Sequence, residues 1–196
     1  MPFVIDDANL PAILTGRPMS DEEFTAFCGE HPDLNFEMTA EGEIIVMPPT
    51  SFLTGVSNCD VSSDLRIWAR KDARGLASDS STGFVLPNGA RRSPDAAWTL
   101  KTRLKKPRGF LHLCPDFVIE VRSDTDRLKP LQEKMLEYIE NGAQLGWLID
   151  PKKRSVEIYR PDSSVETRTS INEIKGEGPV AGFTLDLTYV WDPLAD

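Results

Sequence analysis

The amino-acid sequence predicts a mixed α/β domain of the α+β kind, with runs of strands between helices and a mixed central sheet. Three observations predict this class. A capping-box motif begins a helix near the N-terminus, the run 117–121 has the strongest strand pattern in the chain, and Asn88-Gly89 joins two extended runs. No repeat or Gly/Ser linker divides the 196 residues, 40% of which are apolar. We therefore expect one domain over 1–196.

The N-terminal part is predicted to form a helix followed by a hairpin. Ser20 and Glu23 have the Ser-x-x-Glu spacing of a capping box, and Pro32 ends the helix that they begin. The runs 35–38 and 43–47 flank a glycine-containing turn and are expected to pair as a β-hairpin.

The rest of the chain alternates between helices and short strands. Apolar residues at helical spacing predict a second helix over 52–70, with Gly75 as its stop. Thr125 or Asp126 caps a third helix, which ends at Asn141-Gly142. Strands are expected at 76–79, 83–86, 96–100, 117–121, 145–150 and 156–159, with a late edge strand at 183–187.

Charge and cysteine content restrict the function. The net charge is −9, so the chain as a whole is poorly suited to holding nucleic acid by charge alone. Three widely spaced cysteines and two histidines do not supply the ligand spacing of a structural zinc site, and free thiols suggest the reducing cytoplasm. No apolar run reaches the length of a membrane span and no secretory signal is recognised, so no membrane association is expected.

A carboxylate lies in the middle of the most apolar strand. Side chains alternate along a strand, so Val118, Glu120 and Arg122 share the face opposite Phe117 and its apolar neighbours. A buried carboxylate is unfavourable unless it is paired or binds a metal. Asp95, near the start of another strand, would place a second carboxylate beside it, and two carboxylates plus water suit Mg²⁺. The alternatives stay open: Glu120 pairs with Arg122, and Pro94-Asp95 is only a turn.

The helix after this strand carries a lysine at the border of its apolar face. Lys134 lies about 40° from Tyr138 and about 60° from Leu131 around the helix axis. We expect its ammonium to reach over the sheet toward Glu120. The alternative is a lysine whose stem covers apolar surface while its charge stays in water.

A basic loop over 101–108 has five basic residues among its eight. It could contact the phosphate backbone of DNA and supply locally the positive field that the whole chain lacks, or it could be an ordinary solvated loop. Its basic residues are Lys101, Arg103, Lys105, Lys106 and Arg108.

Around these residues the chain resembles the bacterial Uma-two (Uma2) family of restriction-endonuclease-like proteins, within the PD-(D/E)XK nuclease superfamily. The resemblance covers nearly the whole chain. The motifs that carry it are Ile45-Val46-Met47-Pro48-Pro49-Thr50, Arg92-Ser93-Pro94-Asp95, Pro115-Asp116-Phe117-Val118-Ile119-Glu120-Val121-Arg122-Ser123, Lys134 to Tyr138, and Gly146-Trp147-Leu148-Ile149-Asp150-Pro151.

The resemblance implies a restriction-endonuclease-like αβββαβ core with a mixed central sheet, preceded by an N-terminal helix and hairpin. It implies that Asp95 and Glu120 bind Mg²⁺ or Mn²⁺. The superfamily's usual lysine would stand at Arg122, so the sequence departs from the pattern there, and Lys134 matches the family's substitute. Arg122 is retained as a catalytic candidate that could hold a phosphate. Glu37 is implied as a further metal ligand or water-orienting group, and Glu43 is the runner-up.

The leading functional hypothesis is therefore a metal-dependent DNA endonuclease that leaves a 5′-phosphate and a 3′-hydroxyl, as the superfamily resemblance implies. Superfamily enzymes that cut both strands commonly dimerise, so a homodimer is expected. A second hypothesis is a nuclease-fold binding module with weak or no cleavage, which the acidic charge and Arg122 favour. A third is a hydrolase of RNA or of a small phosphoester, because two carboxylates do not select the phosphate ester.

Overall fold

The computed structural model of the protein describes residues 12–47, 49–105 and 109–194. The first helices and strands are β1 (Ala12–Leu14), α1 (Asp21–Glu30), β2 (Asn35–Met38), β3 (Ile44–Met47), α2 (Phe52–Asp72), β4 (Gly75–Asp79), β5 (Phe84–Val85), β6 (Arg91–Arg92) and β7 (Ala96–Leu100). They are followed by β8 (Phe117–Val121), α3 (Leu128–Glu140), β9 (Leu145–Asp150), β10 (Ser155–Tyr159), β11 (Val165–Thr169), β12 (Glu173–Lys175), β13 (Thr184–Asp186) and α4 (Thr188–Trp191).

A six-stranded mixed sheet forms the centre of the fold. Its strand order is β11-β10-β9-β8-β7-β4. β8 and β9 are parallel, with α3 as the crossover between them, and the other neighbours are antiparallel. The succession α2-β4-β7-β8-α3-β9 is the expected αβββαβ core.

The two faces of β8 explain how Glu120 is placed. Phe117 and Ile119 pack with Trp147 and the buried side of α2. Val118 lies on the other face and packs with residues of α3 that include Met135. Because side chains alternate along a strand, Glu120 shares the face of Val118 and lies beneath α3.

A second sheet contains the predicted hairpin. Its order is β1-β3-β2-β6-β5, so β2 connects the N-terminal hairpin to the short strand just before Asp95. α1 begins at the predicted capping box, where Ser20 accepts from the backbone of Glu23 and the Glu23 side chain accepts from the backbone of Ser20. This arrangement places Glu37, in β2, close to Arg92 and Ser93.

Three local predictions were wrong. α2 ends at Asp72 with Ala73 as a left-handed C-cap, and Gly75 instead begins β4, where a Cβ would overlap the Trp98 indole. The residue before α3 is Arg127, which makes no side-chain cap bond. The late strand pairs with β12 in a separate two-stranded sheet rather than at an edge of the central sheet.

Candidate active site

The two predicted carboxylates lie at the same end of adjacent strands. Asp95 immediately precedes β7, and Ala96 is opposite Ile119 in the β7–β8 register, so Asp95 lies beside Glu120. The backbone N–H of Val121 donates to Asp95 Oδ2 at 2.8 Å. The antiparallel pairing of β7 with β8 therefore brings the two acids together, as the sequence predicted.

Lys134 reaches the carboxylates from α3. Its Nζ lies 2.7 Å from Glu120 Oε1 and 2.8 Å from Glu37 Oε1, and its side chain is 11% exposed. Met135 and Tyr138, both fully buried, fix the face of the helix that points at the sheet. The expected contact between Lys134 and Glu120 is present.

Glu37 is the acceptor that holds this lysine. Its side chain is 2% exposed, and it also accepts from the backbone N–H of Ser93 at 2.9 Å and from Arg92 Nη1 at 3.1 Å. Because both carboxylate oxygens already accept from charged or backbone donors, Glu37 is placed to orient Lys134 and Arg92. Glu43, the runner-up, makes no contact with this group in the described structure.

Two further residues complete the buried polar group. The Tyr138 hydroxyl donates to Glu120 Oε1 at 3.0 Å, and Arg92 Nε donates to Glu137 Oε2 at 2.6 Å. Sequence reasoning missed both. Tyr138 lies one helical turn after Lys134, so its position on the same helix face was a usable signal. Arg92 stands in a motif that carries the family resemblance, but its contacts were not predictable from it, because they depend on β2 lying next to β6.

Burial and mutual repulsion shift the ionisation of the acids. Burial raises the pKa of Asp95 to about 6, although the Val121 N–H and Lys134 oppose the shift. Burial also raises the pKa of Glu120 to about 8, against the effect of Lys134 and with the help of the charges on Asp95 and Glu37. The surroundings of each acid therefore favour its protonated form and compensate its negative charge incompletely when it ionises.

The pKa values of Lys134 and Glu37 shift in the direction that favours their charged forms, unlike those of Asp95 and Glu120. Burial by itself would lower the pKa of Lys134, but the carboxylates of Glu120 and Glu37 raise it above its ordinary value. Burial would raise the pKa of Glu37, but Lys134 and Arg92 outweigh it and lower that pKa. Lys134 is therefore a permanent cation in this group.

The available donors fit a magnesium-type ion. Asp95 and Glu120 supply carboxylate oxygens, and the amide oxygen Oδ1 of Asn58, whose Nδ2 donates to Asp95, is buried without a hydrogen-bond partner. In the described ranges no three His, Cys, Asp or Glu residues group as a complete ligand set. Two carboxylates with water filling the other positions is the arrangement that Mg²⁺ accepts, since it retains several waters.

Some predicted site residues lie elsewhere. Arg122 follows the end of β8 and pairs with Asp150 at 2.7 Å, while its other nitrogens donate to the carbonyl of Asp126. Lys101 and Arg103 lie past the opposite end of β7 from Asp95. Lys101 donates to the Ala73 carbonyl and Arg103 pairs with Asp116. The structure does not bring these three residues to the carboxylates, and Lys106 and Arg108 lie outside the described residues.

This core and its buried acids define a restriction-endonuclease-like fold. The chain belongs to the Uma2 family, whose model, described as "Putative restriction endonuclease", matches residues 21–188. A crystal structure from Anabaena variabilis ATCC 29413, described as a "putative nuclease", is similar with a TM-score of 0.74 and 20% identity. The match covers 89% of this chain and 98% of that one, and it shows a shared fold. Among curated proteins, none matches the sequence significantly.

Proposed function

We propose that this protein is a metal-dependent DNA endonuclease. Asp95 and Glu120 would hold Mg²⁺ or Mn²⁺, and Lys134 would act beside them on the attacking water and the scissile phosphate. The observation that carries the proposal is the buried juxtaposition of two undercompensated carboxylates with a lysine ammonium 2.7 Å from one of them. Membership of the Uma2 family supports the same reaction class.

The raised pKa of Lys134 decides between its possible roles. A bound Mg²⁺ would supply a lowered pKa for its water and charge neutralisation at the phosphate. Lys134, held as a cation by Glu37 and Glu120, is suited to orient the water or to stabilise negative charge on the phosphate. It is unsuited to remove the water's proton. The Val121 N–H, which donates to Asp95 Oδ2, would keep this carboxylate oriented toward the bound ion.

The groove beside these residues determines how DNA would bind. It has a volume of about 670 Å³, and its three basic side chains are already ion-paired: Arg91 with Asp21, Arg92 with Glu37 and Glu137, and Lys134 with Glu37 and Glu120. Backbone phosphates would then be held elsewhere. We infer that the basic loop over 101–108 does this; its described residues Lys101 and Lys105 lie past the end of β7 opposite Asp95, about 17 Å from the carboxylates by the length of that strand. That distance corresponds to about five base pairs of duplex.

The same charge pattern favours a second candidate function. A groove whose basic side chains are all paired, on a chain of net charge −9, suits a module with weak cleavage that acts with a partner. Hydrolysis of RNA or a small phosphoester would use the same carboxylates and Lys134. A homodimer would allow an endonuclease to cut both strands.

The cellular setting is also part of the proposal. None of the helices in the described ranges has the length and apolar content needed to cross a bilayer. Cys28, Cys59 and Cys114 are free thiols. Free thiols suit a reducing compartment, and we infer the cytoplasm.

A substrate panel tests the proposal. Wild type and Glu120→Gln are incubated with Mg²⁺ or Mn²⁺ and plasmid DNA, single-stranded DNA, RNA or a nitrophenyl phosphodiester. We expect metal-dependent cleavage of DNA that Glu120→Gln reduces by at least a hundredfold. Glu133→Gln, an exposed carboxylate on the same helix as Lys134, is the matched control and should retain the wild-type rate. DNA cleavage that survives in Glu120→Gln would refute the site, and faster turnover of another ester would change the substrate class.

A further inference from the structure

We propose that Asn58 is a positioning residue of the metal site, and this inference rests on the proposed function. Its side-chain N–H would fix the orientation of Asp95, and its carbonyl oxygen would accept a hydrogen bond from water bound to the metal. Asn58 lies in the second turn of α2 and lines the same groove as Asp95, Glu120 and Lys134.

The first support is the way Asp95 is held. Asn58 Nδ2 donates to Asp95 Oδ1 at 2.8 Å, and the Val121 N–H donates to Oδ2 at the same distance. One donor on each oxygen fixes the plane of the carboxylate. A carboxylate has about four acceptor positions, so two remain for a cation or its waters.

The second support is the charge of these donors. Both are neutral, so they orient Asp95 without cancelling its charge. Glu37 and Asp150 differ, because each pairs directly with a lysine or an arginine. A neutral amide at position 58 therefore leaves the negative charge of Asp95 available for a divalent cation. A lysine or arginine there would compete with the cation.

The third support is the unused oxygen of the amide. A carboxylate can only accept hydrogen bonds, so the amide group of Asn58 must face Asp95 through Nδ2, and its orientation is fixed. Oδ1 is then buried and has no donor among the described residues. The neighbouring hydroxyl of Ser57 is already bonded to the Leu53 carbonyl. A buried carbonyl oxygen without a donor is unfavourable, and water bound to a metal next to Asp95 would supply that donor.

Manganese binding by purified protein tests the role. The concentration of free Mn²⁺ is followed by electron paramagnetic resonance in wild type, Asn58→Ala and Cys59→Ser, and the melting temperature of each metal-free protein is recorded. Loss of a residue that orients a ligand typically weakens metal binding by about ten- to a hundredfold. We expect that loss in Asn58→Ala. Cys59→Ser alters the exposed next residue and should bind as wild type does.

The outcomes separate this inference from the proposed function. If wild type binds Mn²⁺ and Asn58→Ala binds it within twofold, Asn58 has only a structural role and the inference fails while the metal site stands. A lower melting temperature with unchanged Mn²⁺ affinity leads to the same conclusion. If wild type binds no Mn²⁺, both proposals fail. Should Asn58→Ala not fold, Asn58→Ser replaces it, since its shorter side chain also fails to reach Asp95, and the same loss of affinity is expected.

Discussion

Replacing Lys134 by methionine tests the buried charge group most severely. The substitution keeps an unbranched apolar side chain one atom shorter but removes the cation that lies 2.7 Å from Glu120 and 2.8 Å from Glu37. Removing one partner of a buried ion pair costs about 3 to 5 kcal/mol, because it leaves an uncompensated charge. Domains of ordinary stability unfold with about 5 to 15 kcal/mol, so this loss is a large share of the total.

Urea unfolding at pH 8 measures the loss. Lys129→Met is the control on the same helix, since Lys129 is 85% exposed and 3.7 Å from its partner Glu133, and it should cost less than about 0.5 kcal/mol. Glu120→Gln placed in the Lys134→Met background should change the stability little at pH 8, because the pKa of Glu120 is about 8 even beside Lys134 and rises further without it, so that this side chain is already protonated. The loss should shrink at pH 6, where Glu120 of the wild type also takes up a proton. If Lys134→Met lowers the free energy of unfolding at pH 8 by less than about 1 kcal/mol, the order of magnitude expected for an exposed pair such as Lys129–Glu133, this reasoning is refuted.

The remaining predictions concern pH, salt and the residues that the structure separates from the site. Folded Glu120 and Asp95 have pKa values of about 8 and about 6, above their values near 4 in an unfolded chain. The folded state then holds more protons, so the metal-free protein should lose stability as the pH rises from about 4 to about 8, and urea midpoints that rise instead would contradict these charges. Mn²⁺ affinity should increase from about pH 6 to about pH 8, because the ion displaces protons from Asp95 and Glu120. Calorimetry in buffers of different ionisation enthalpy would detect the released protons. Lys105→Ala should weaken DNA binding and lower the salt dependence by about one ion without changing the rate at saturating DNA; a lower saturated rate would place the loop at the cleavage site. Arg122→Met should destabilise the protein by about 2 kcal/mol, since it strands the buried carboxylate of Asp150, but should leave Mn²⁺ affinity unchanged; a tenfold weaker affinity would return Arg122 to the site.

Strand and helix periodicity predicted the centre of the site. Alternation along 117–121 placed Glu120 on one face of an apolar strand, and helical phase placed Lys134 at the edge of a buried face. Both predictions depend only on local geometry. Because α3 is the crossover between the parallel strands β8 and β9, its buried face packs on β8, and this packing brings Lys134 and Glu120 together.

The contacts that escaped prediction join residues distant in sequence. Glu37 meets Lys134 only because β2 pairs with β6, and nothing in the hairpin sequence specifies that pairing. Asn58 stands among polar residues of a long helix and has no local feature that points to Asp95. Arg122 was placed by extending strand alternation one residue beyond the end of β8, where the side chain instead turns toward Asp150.

Short or polar strands escaped for a different reason. β11 has the sequence Val-Glu-Thr-Arg-Thr, which lacks the alternation of apolar and polar residues that predicts a strand. It lies at the edge of the central sheet. β1 has three residues and gains its strand conformation by pairing with β3. In both cases the neighbouring strand, rather than the local sequence, determines the conformation.

The central claim is that Asp95 and Glu120 together bind one divalent ion. Calorimetric titration of Mn²⁺ into wild type and Asp95→Ala, with circular dichroism to confirm that both are folded, tests it most directly. We predict one bound ion per chain in wild type and none in Asp95→Ala. Equal binding by the two proteins, or binding by neither, would contradict the claim and leave the two acids as buried polar residues of a nuclease-like fold.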